Sequence, residues 1–553
     1  MNDPIRGIGV GTGSAAGPVA RMAPVPALPA PRPVTDPAAE TAAVRTALAA
    51  VVTDLEERAA RVTGPGFDVL TAQALMASDP LLADEATGLV ERGTDGAHAL
   101  TAAFDGFRAA LLTAGGHFAE RAADLDDLRD RAVAHLLGLP VPGLPDPGHP
   151  YVLVAEDLAP ADTALLDPAR VLALVTVRGG PTSHTAILAK ALGVPAVVGC
   201  AGAVGLADGR YVLVHGADGV VEPDPSPEAL ERAAERDRRR RELSAAVRGP
   251  GRTADGHPVA LLVNLGAPHE LAGAAGADAE GVGLFRTEFL FLDRAEAPGL
   301  AEQAAAYREV FAAFAGRRVV VRTLDAGADK PLPFATAADE ENPALGVRGL
   351  RTAARDPRLL ETQLAAIAEA ARTGGAQVWV MAPMVSVPRE AAEFAARVRA
   401  HGLPLAGAMI EVPAAALRAD RLAQVCDFFS IGTNDLAQYT FAADRTLGSL
   451  ADLLDPWQPA LLTLIATAAR AAAEHGRPVS VCGEAAADPD LALVLVGLGI
   501  TSLSAAPSAL PEVRAALAAH TLAHCRELAE LALHADDAAD ARAKVRSRTA
   551  GSR

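Results

Sequence analysis

His184 stands within Gly179-Gly-Pro-Thr-Ser-His-Thr-Ala-Ile-Leu-Ala-Lys190, where two glycines and a proline close the apolar run Val171–Val177. Thr182 and Ser183 read as N-cap residues, and the pattern predicts a helix over Thr185–Leu192 that Gly193 ends. A histidine at a helix start lies beside unpaired N–H groups and the positive end of the helix dipole, a setting that favours an anion. Imidazole there can accept a phosphoryl group and hold it as a phosphoramidate. Taken singly, the same histidine is more simply explained as an ordinary polar residue in a first turn.

A second set of chemically capable residues follows short apolar runs. These are Arg286-Thr-Glu288, Arg322-Thr-Leu-Asp325, Glu411, Gly432-Thr-Asn434-Asp435 and Cys482-Gly-Glu484. Arg286 and Arg322 can each give bidentate hydrogen bonds to phosphate or carboxylate oxygens, and Arg445 lies one loop beyond Asp435. Glu411 and Asp435 are hard oxygen donors of the kind Mg²⁺ takes while it keeps some water and grips a substrate. Asn434 offers an amide, and Cys482 a thiol able to exchange a proton with carbon. Each has a plainer explanation. A single arginine at a strand end is commonly a structural ion pair. Glu411 could cap a helix starting at Pro413, Asn434 and Asp435 could form a turn, and Cys482 could be a small buried apolar residue. The group is more specific than its members.

The elements that must position these residues follow from periodicity. After Gly249 eight strand candidates alternate with helical stretches: Val259–Asn264, Gly281–Phe285, Val319–Thr323, Val378–Met381, Leu405–Glu411, Phe428–Ile431, Val479–Val481 and Ser502–Ser504. Helices are predicted over Gln303–Phe314, Leu359–Arg372, Arg389–His401, Leu461–His475 and Pro511–His520. The count and spacing predict a (β/α)₈ barrel, with a doubly wound sheet as the alternative. In a barrel the active groups come from the C-terminal strand ends, which is where the polar residues fall. Upstream, Tyr151–Val154, Val171–Val177, Val194–Val198 and Tyr211–His215 read as strands of a compact α/β unit that contains His184. Residues 37–140 are Ala-rich with Leu48, Val51, Val52 and Leu55 at helical spacing, broken by turns at Asp79-Pro80 and Gly115-Gly116. The predicted organisation is therefore α/β and multidomain. Residues 1–22 plus 145–222 form an α/β domain, 37–140 a helical bundle inserted in it, 223–250 a charged linker helix, and 251–540 the barrel.

Composition narrows the function. The chain has 553 residues, half of them hydrophobic, and a formal charge of -18, which offers no basic excess for nucleic acid. Cys200, Cys426, Cys482 and Cys525 are scattered, without zinc or disulfide spacing, as suits a reducing cytoplasm. Met-Asn-Asp-Pro-Ile-Arg lacks the basic end and apolar block of a signal peptide, and Leu491–Ile500 is too short to span a bilayer. A cytoplasmic protein without membrane contact is expected.

Read together, the motifs resemble Enzyme I of the bacterial phosphoenolpyruvate-dependent sugar phosphotransferase system, over residues 1–535. They are the His184 segment, Gly283-Leu-Phe-Arg-Thr-Glu-Phe-Leu-Phe291, Arg322-Thr-Leu-Asp-Ala-Gly-Ala-Asp-Lys330, Glu340-Glu-Asn-Pro-Ala-Leu-Gly-Val-Arg348, Met409-Ile-Glu-Val-Pro413, Ser430-Ile-Gly-Thr-Asn-Asp-Leu-Ala-Gln-Tyr439 and Val481-Cys-Gly-Glu484. The resemblance implies a swivelling phosphohistidine domain and a phosphoenolpyruvate-binding barrel. It implies phosphorylation of His184 on Nε2, phosphoenolpyruvate bound by Arg286, Arg322, Asn434, Asp435 and Arg445, Mg²⁺ held by Glu411 and Asp435, and Cys482 as proton donor to the departing pyruvate. It also implies transfer to a histidine of the phosphocarrier protein HPr, docked on the helical insertion, where acidic stretches such as Asp124-Leu-Asp-Asp127 could steer a basic carrier. A homodimer through the barrel is implied as well. The chain departs from the family pattern at Gly9–Gly17, at Asp325-Ala-Gly-Ala-Asp329 and at Cys482-Gly-Glu-Ala-Ala-Ala487.

Three alternatives compete with this resemblance. A dikinase or phosphoenolpyruvate synthase needs a nucleotide-binding domain for which residues 1–150 leave no room. A non-catalytic phosphoenolpyruvate-sensing paralogue has no need of His184, Cys482 and both metal ligands. A barrel lyase or aldolase leaves the first 225 residues without a purpose.

Overall fold

The computed structural model describes residues 4–11, 13–23, 25–60, 65–114, 122–156, 158, 162, 166–180, 184–292, 294–326, 332–336, 340, 342–445 and 448–549. The expected caps Thr182 and Ser183, the turn at Gly115-Gly116 and Asp329 lie outside these residues. The chain divides into two compact units, 1–234 and 235–553, with the boundary inside the helix Pro227–Ala246.

In the first unit, eight strands form one sheet: β1 (Ile5–Arg6), β2 (Ile8–Val10), β3 (Ser14–Arg21), β4 (Tyr151–Ala155), β5 (Val171–Thr176), β6 (Ala196–Val198), β7 (Tyr211–His215) and β8 (Val220–Pro223), in the order β1-β8-β7-β3-β4-β5-β6-β2. The strands β3 to β6 run parallel, whereas β2 pairs antiparallel with β6 and β7 with both β3 and β8. Alternate residues of β4 and β5 enter different cores: Leu153, Ala155 and Leu174 on one face, Val152, Val154 and Val175 on the other. Both faces are covered, which is why these strands read as unbroken apolar runs. The helix His184–Leu192 connects β5 to β6 and buries Ala186 and Ala189 in the first of those cores.

Between β3 and β4 lie the helices Pro37–Ala59, Pro65–Ala77, Pro80–Glu91, Gly96–Ala114 and Ala122–Leu137. They have their own core, in which Val44, Leu48, Val51 and Leu55, three and four residues apart, meet Leu82, Phe104 and Leu128. Asp36 caps the first helix, accepting from the N–H of Ala38 and Ala39 at 3.1 and 3.0 Å ahead of Pro37 at the first position. The acidic stretch after Asp124 is largely compensated: Asp126 pairs with Arg108 and Arg129, both at 3.0 Å, and Asp127 with Arg131 at 2.7 Å.

In the second unit, β9 (Ala260–Leu265), β10 (Gly281–Arg286), β11 (Arg318–Arg322), β12 (Gln377–Ala382), β13 (Ala406–Ile410), β14 (Phe428–Ile431), β15 (Val479–Val481) and β16 (Ser502–Ala505) close into a parallel barrel. Period two sorts their side chains. Val319, Val321, Val380, Ala408, Ile410, Phe429 and Val481 face the surrounding helices, while Leu284, Val320, Met381, Met409, Phe428 and Cys482 cluster inside the barrel. Gly407 makes room for this interior, since a Cβ there would lie 2.5 Å from the Phe428 ring.

The helical layer exceeds the expected set. The apolar run beginning at Leu491 forms the buried helix Pro489–Gly497, capped by Asp488. The barrel does not end at residue 540. Helix Ala538–Thr549 continues past it because Ala541 and Val545 pack into the barrel core. Among the described residues no helix is long and apolar enough to cross a membrane.

Candidate active site

Three expected residues enter the barrel axis by strand alternation alone. Arg322 comes two residues after inward-facing Val320, Glu411 two after Met409, and Cys482 two after Ser480, which hydrogen-bonds inward to Ser430 at 3.0 Å. All three lie at C-terminal strand ends. Asn434 and Asp435 follow β14 in the first turn of the helix Thr433–Phe441; Asp435 is buried and Asn434 half-buried. Arg286 ends β10 exposed and makes no ion pair among the described residues. Arg445 sits at the rim, its guanidinium 3.8 Å from the Asp435 carboxylate and its N–H donating to Gln438 Oε1 at 3.2 Å. The helix that begins at His184 belongs to the other unit.

The mouth is a charge network. Arg322 donates to Glu288 at 2.9 Å and pairs with Asp325 at 3.2 Å. Arg348, buried, pairs with Asp325 at 2.9 Å and with Asp435 at 3.2 Å, and donates to Tyr439 Oη at 3.3 Å. Burial alone would make Arg322 easier to deprotonate, but the carboxylates of Glu288, Asp325, Glu411 and Asp435 more than offset this and raise its pKa. Burial likewise opposes ionisation of Asp325, and Arg322 and Arg348 overcome it, holding the carboxyl below its ordinary range. Arg322 Nε remains buried without a hydrogen-bond partner among the described residues. An unmet buried donor is costly, and here it adjoins the interior where an anionic oxygen would satisfy it.

Glu411 does not cap the helix Pro413–Leu417, whose N-cap, Val412, makes no side-chain cap bond. Its carboxylate instead accepts from Met384 N–H at 2.6 Å. Met384 has φ of 58°, an unusual conformation for a side chain of its size, and Gly349 packs so closely that a Cβ there would lie 2.8 Å from Met384 Cγ. Burial, then the charges of Asp435 and Asp325, push the Glu411 carboxyl up to about 8. Cys482 is 2% exposed and its thiol donates to the Ile431 carbonyl at 3.5 Å. Burial raises its pKa, so it holds its proton as a thiol.

Arg348 follows no strand directly, so the strand-end pattern does not mark it. It ends the quoted segment Glu340–Arg348, which follows β11 only after a long irregular connection. Glu288 and Asp325 were visible at strand ends but carried no assigned role. Glu288 lies two residues from Arg286 and Asp325 three from Arg322, a spacing that marks both carboxylates, whereas Arg348 has no such neighbour in the sequence.

Three family models tile the chain: "PEP-utilising enzyme, N-terminal" over residues 6–121, "PEP-utilising enzyme, mobile domain" over 147–219, and "PEP-utilising enzyme, PEP-binding domain" over 240–522. A phosphoenolpyruvate-protein phosphotransferase of Streptomyces coelicolor is 51% identical over 100% of both chains. One of Haloferax volcanii is 43% identical over 88% of this chain and 87% of its own. A multiphosphoryl transfer protein of Xanthomonas campestris is 41% identical over 90% of this chain and 61% of its own.

The chain belongs to the phosphoenolpyruvate-protein phosphotransferase family.

In this member of the phosphotransferase family the barrel mouth belongs to the stretch matched as PEP-binding, and the helix of His184 to the stretch matched as mobile. Its donor set fits a divalent cation. Glu411 and Asp435 are buried oxygen donors, and burial first, then the charges of Asp435 and Asp325, raise the proton affinity of Glu411, a penalty on its carboxylate that a cation would offset.

Proposed function

We propose that this chain takes the phosphoryl group of phosphoenolpyruvate onto Nε2 of His184, releases pyruvate, and passes the group to a histidine of HPr, with Mg²⁺ held by Glu411 and Asp435. The observation that carries the reading is the convergence of Arg322, Glu411, Asp435 and Cys482 at one end of the barrel, with Arg322 Nε left without a partner among the described residues.

Arg286, Arg322 and Arg445 grip the phosphate, and Asn434 donates to an oxygen of the substrate. Glu411 and Asp435 would hold Mg²⁺, which would supply positive charge to offset that of the phosphate and the developing enolate. His184 Nε2 attacks phosphorus in line. The N–P bond forms as the P–O bond to the enolate breaks, and the arginines neutralise charge on the equatorial oxygens. Cys482, kept protonated by burial, gives its proton to the methylene carbon and leaves pyruvate in its keto form; the thiolate regains a proton from water. Phospho-His184 then meets HPr. Phe67, Leu75 and Leu81 on the helices Pro65–Ala77 and Pro80–Glu91 are exposed apolar side chains and support that block as the carrier's docking face. Because the nearby acids are spent on arginines, this docking rests more on apolar contact than on steering. Homodimerisation through the barrel and a cytoplasmic setting complete the reading.

The test is incubation with ³²P-phosphoenolpyruvate and Mg²⁺, with and without HPr. Acid-labile label on the wild-type chain, absent in His184→Ala and passed on to HPr, is expected. Unlabelled wild-type protein would remove the proposal.

A further inference from the structure

Behind β10 and β11, on the helix side of the barrel wall, lies a buried polar cluster that touches neither substrate nor metal in the mechanism above. Its centre is Gln363, 1% exposed, on the helix Pro357–Gly374. Gln363 Oε1 accepts from Leu324 N–H at 2.9 Å. Gln363 Nε2 donates to Thr287 Oγ1 and to Tyr307 Oη, both at 3.0 Å. Thr287, fully buried, donates in turn to the Arg322 carbonyl at 2.9 Å, and Tyr307 donates to Gln303 Oε1 at 3.2 Å.

The directions are fixed. Each hydroxyl spends its proton elsewhere and must therefore accept from Gln363, so only an amide with its NH₂ facing them satisfies the set. An apolar residue would leave Leu324 N–H, Thr287 and Tyr307 short of partners in the interior. The amide lies on the helix side, yet what it holds is the frame of the site. Thr287 separates Arg286 from Glu288, and Leu324 lies between Arg322 and Asp325. The turn after β11 is gripped from both sides: Gln363 takes Leu324 N–H from the helix layer, and Glu288 takes Asp325 N–H at 3.0 Å from the mouth. One side chain thus ties together the two strand ends that carry Arg286 and Arg322.

We infer that Gln363 is a positioning residue for the phosphate clamp, fixing the spacing and direction of Arg286 and Arg322 through Thr287 and the Leu324 amide. The inference rests on the phosphotransfer reading. Placement errors of about 1 Å can cost about 100-fold in rate, so a remote residue can control the clamp.

The test compares Gln363→Met and Thr287→Val with Tyr307→Phe, which removes only the hydroxyl on the far side and leaves both ties to the strand ends. In protein shown folded by circular dichroism, Gln363→Met is expected to lower kcat/KM for phosphoenolpyruvate by about 10- to 100-fold, mainly through a higher KM. KM for HPr is expected to stay unchanged, and Tyr307→Phe to remain within about 2-fold of wild type. A merely structural role would lower thermal stability in Gln363→Met and Thr287→Val and leave KM for phosphoenolpyruvate unchanged, and that result overturns the inference. If Gln363→Met does not fold, Thr287→Val decides: a selective rise in KM for phosphoenolpyruvate sustains the inference, and wild-type kinetics overturn it. Wild-type protein that takes no label removes the phosphotransfer reading and this inference together.

Discussion

The two ends of the barrel treat buried charge differently. At the N-terminal end Arg514, 2% exposed, donates to the Gly249 carbonyl at 2.9 Å and to the Asp278 carbonyl, and lies 3.5 Å from the Asp278 carboxylate. Glu280 accepts from the N–H groups of Gly251 and Leu261, both at 3.0 Å. Most of that polarity is spent on the chain's own backbone. At the C-terminal end arginines face carboxylates, and Arg322 Nε has no partner among the described residues. Charge fixed to backbone closes a barrel. Charge balanced by other charge can be shared with a ligand, because an incoming anion or cation exchanges one ionic partner for another.

The widest separation between the ends should come from Arg322→Met. It removes a phosphate donor and takes one ionic partner from both Glu288 and Asp325, and phosphorylation of His184 is expected to fall about 100- to 1000-fold, read from the initial rate of ³²P incorporation. A loss below about 10-fold would make Arg322 a structural ion pair, no different in kind from Arg514. Cys482→Ala should come next. Phosphoenolpyruvate binding, measured by calorimetry, is expected to persist, while turnover falls at least about 100-fold for want of the proton. Unchanged turnover would leave Cys482 as the buried apolar residue its surroundings also suit.

The mouth should carry a pH signature. Folded Glu411 holds its proton up to about 8 against an ordinary value of 4.5, so between these limits the folded state binds the proton and the unfolded state does not. The stability from this group is therefore complete below 4.5 and is lost as pH rises toward about 8. A divalent cation needs the carboxylate and so reverses the trend, binding more tightly as pH rises. Melting curves in chelator and in Mg²⁺, taken between about pH 5 and about pH 9, should draw apart with rising pH. A gap that stays constant with pH would argue against Glu411 as a ligand.

How much of this was legible in the sequence depended on whether a residue follows a strand directly. All eight barrel strands are readable from apolar period and turn residues, and alternation then carries Arg322, Glu411 and Cys482 inward. Arg348 and Gln363 were not readable, because one lies beyond an irregular connection and the other on a helix whose polar position looks like a surface residue. Their roles arise from tertiary contact, not local pattern. Met384 shows the same limit: its positive φ goes with contacts to Glu411 and Gly349, which approach from other parts of the chain. The helix Ala538–Thr549 was not readable because charged residues fall at every second position from Asp540 to Arg548 and mask the narrow stripe that Ala541 and Val545 bury.

The smallest catalytic effect should come from the end that looks most like the mouth by burial alone. Arg514→Met removes the donors that hold Gly249 and Asp278, and unfolding should become easier by about 1–3 kcal/mol as those acceptors lose their partners. The Asp278 carboxylate is partly exposed and can turn to water, which keeps the cost toward the lower end. At a temperature where the variant is fully folded, kcat/KM for phosphoenolpyruvate should remain within about 2-fold of wild type, since no group at the mouth has moved. A large kinetic loss with little change in melting temperature would mean that the two ends are coupled through the strands. The division between a closing end and a reacting end would then have to be abandoned for this barrel.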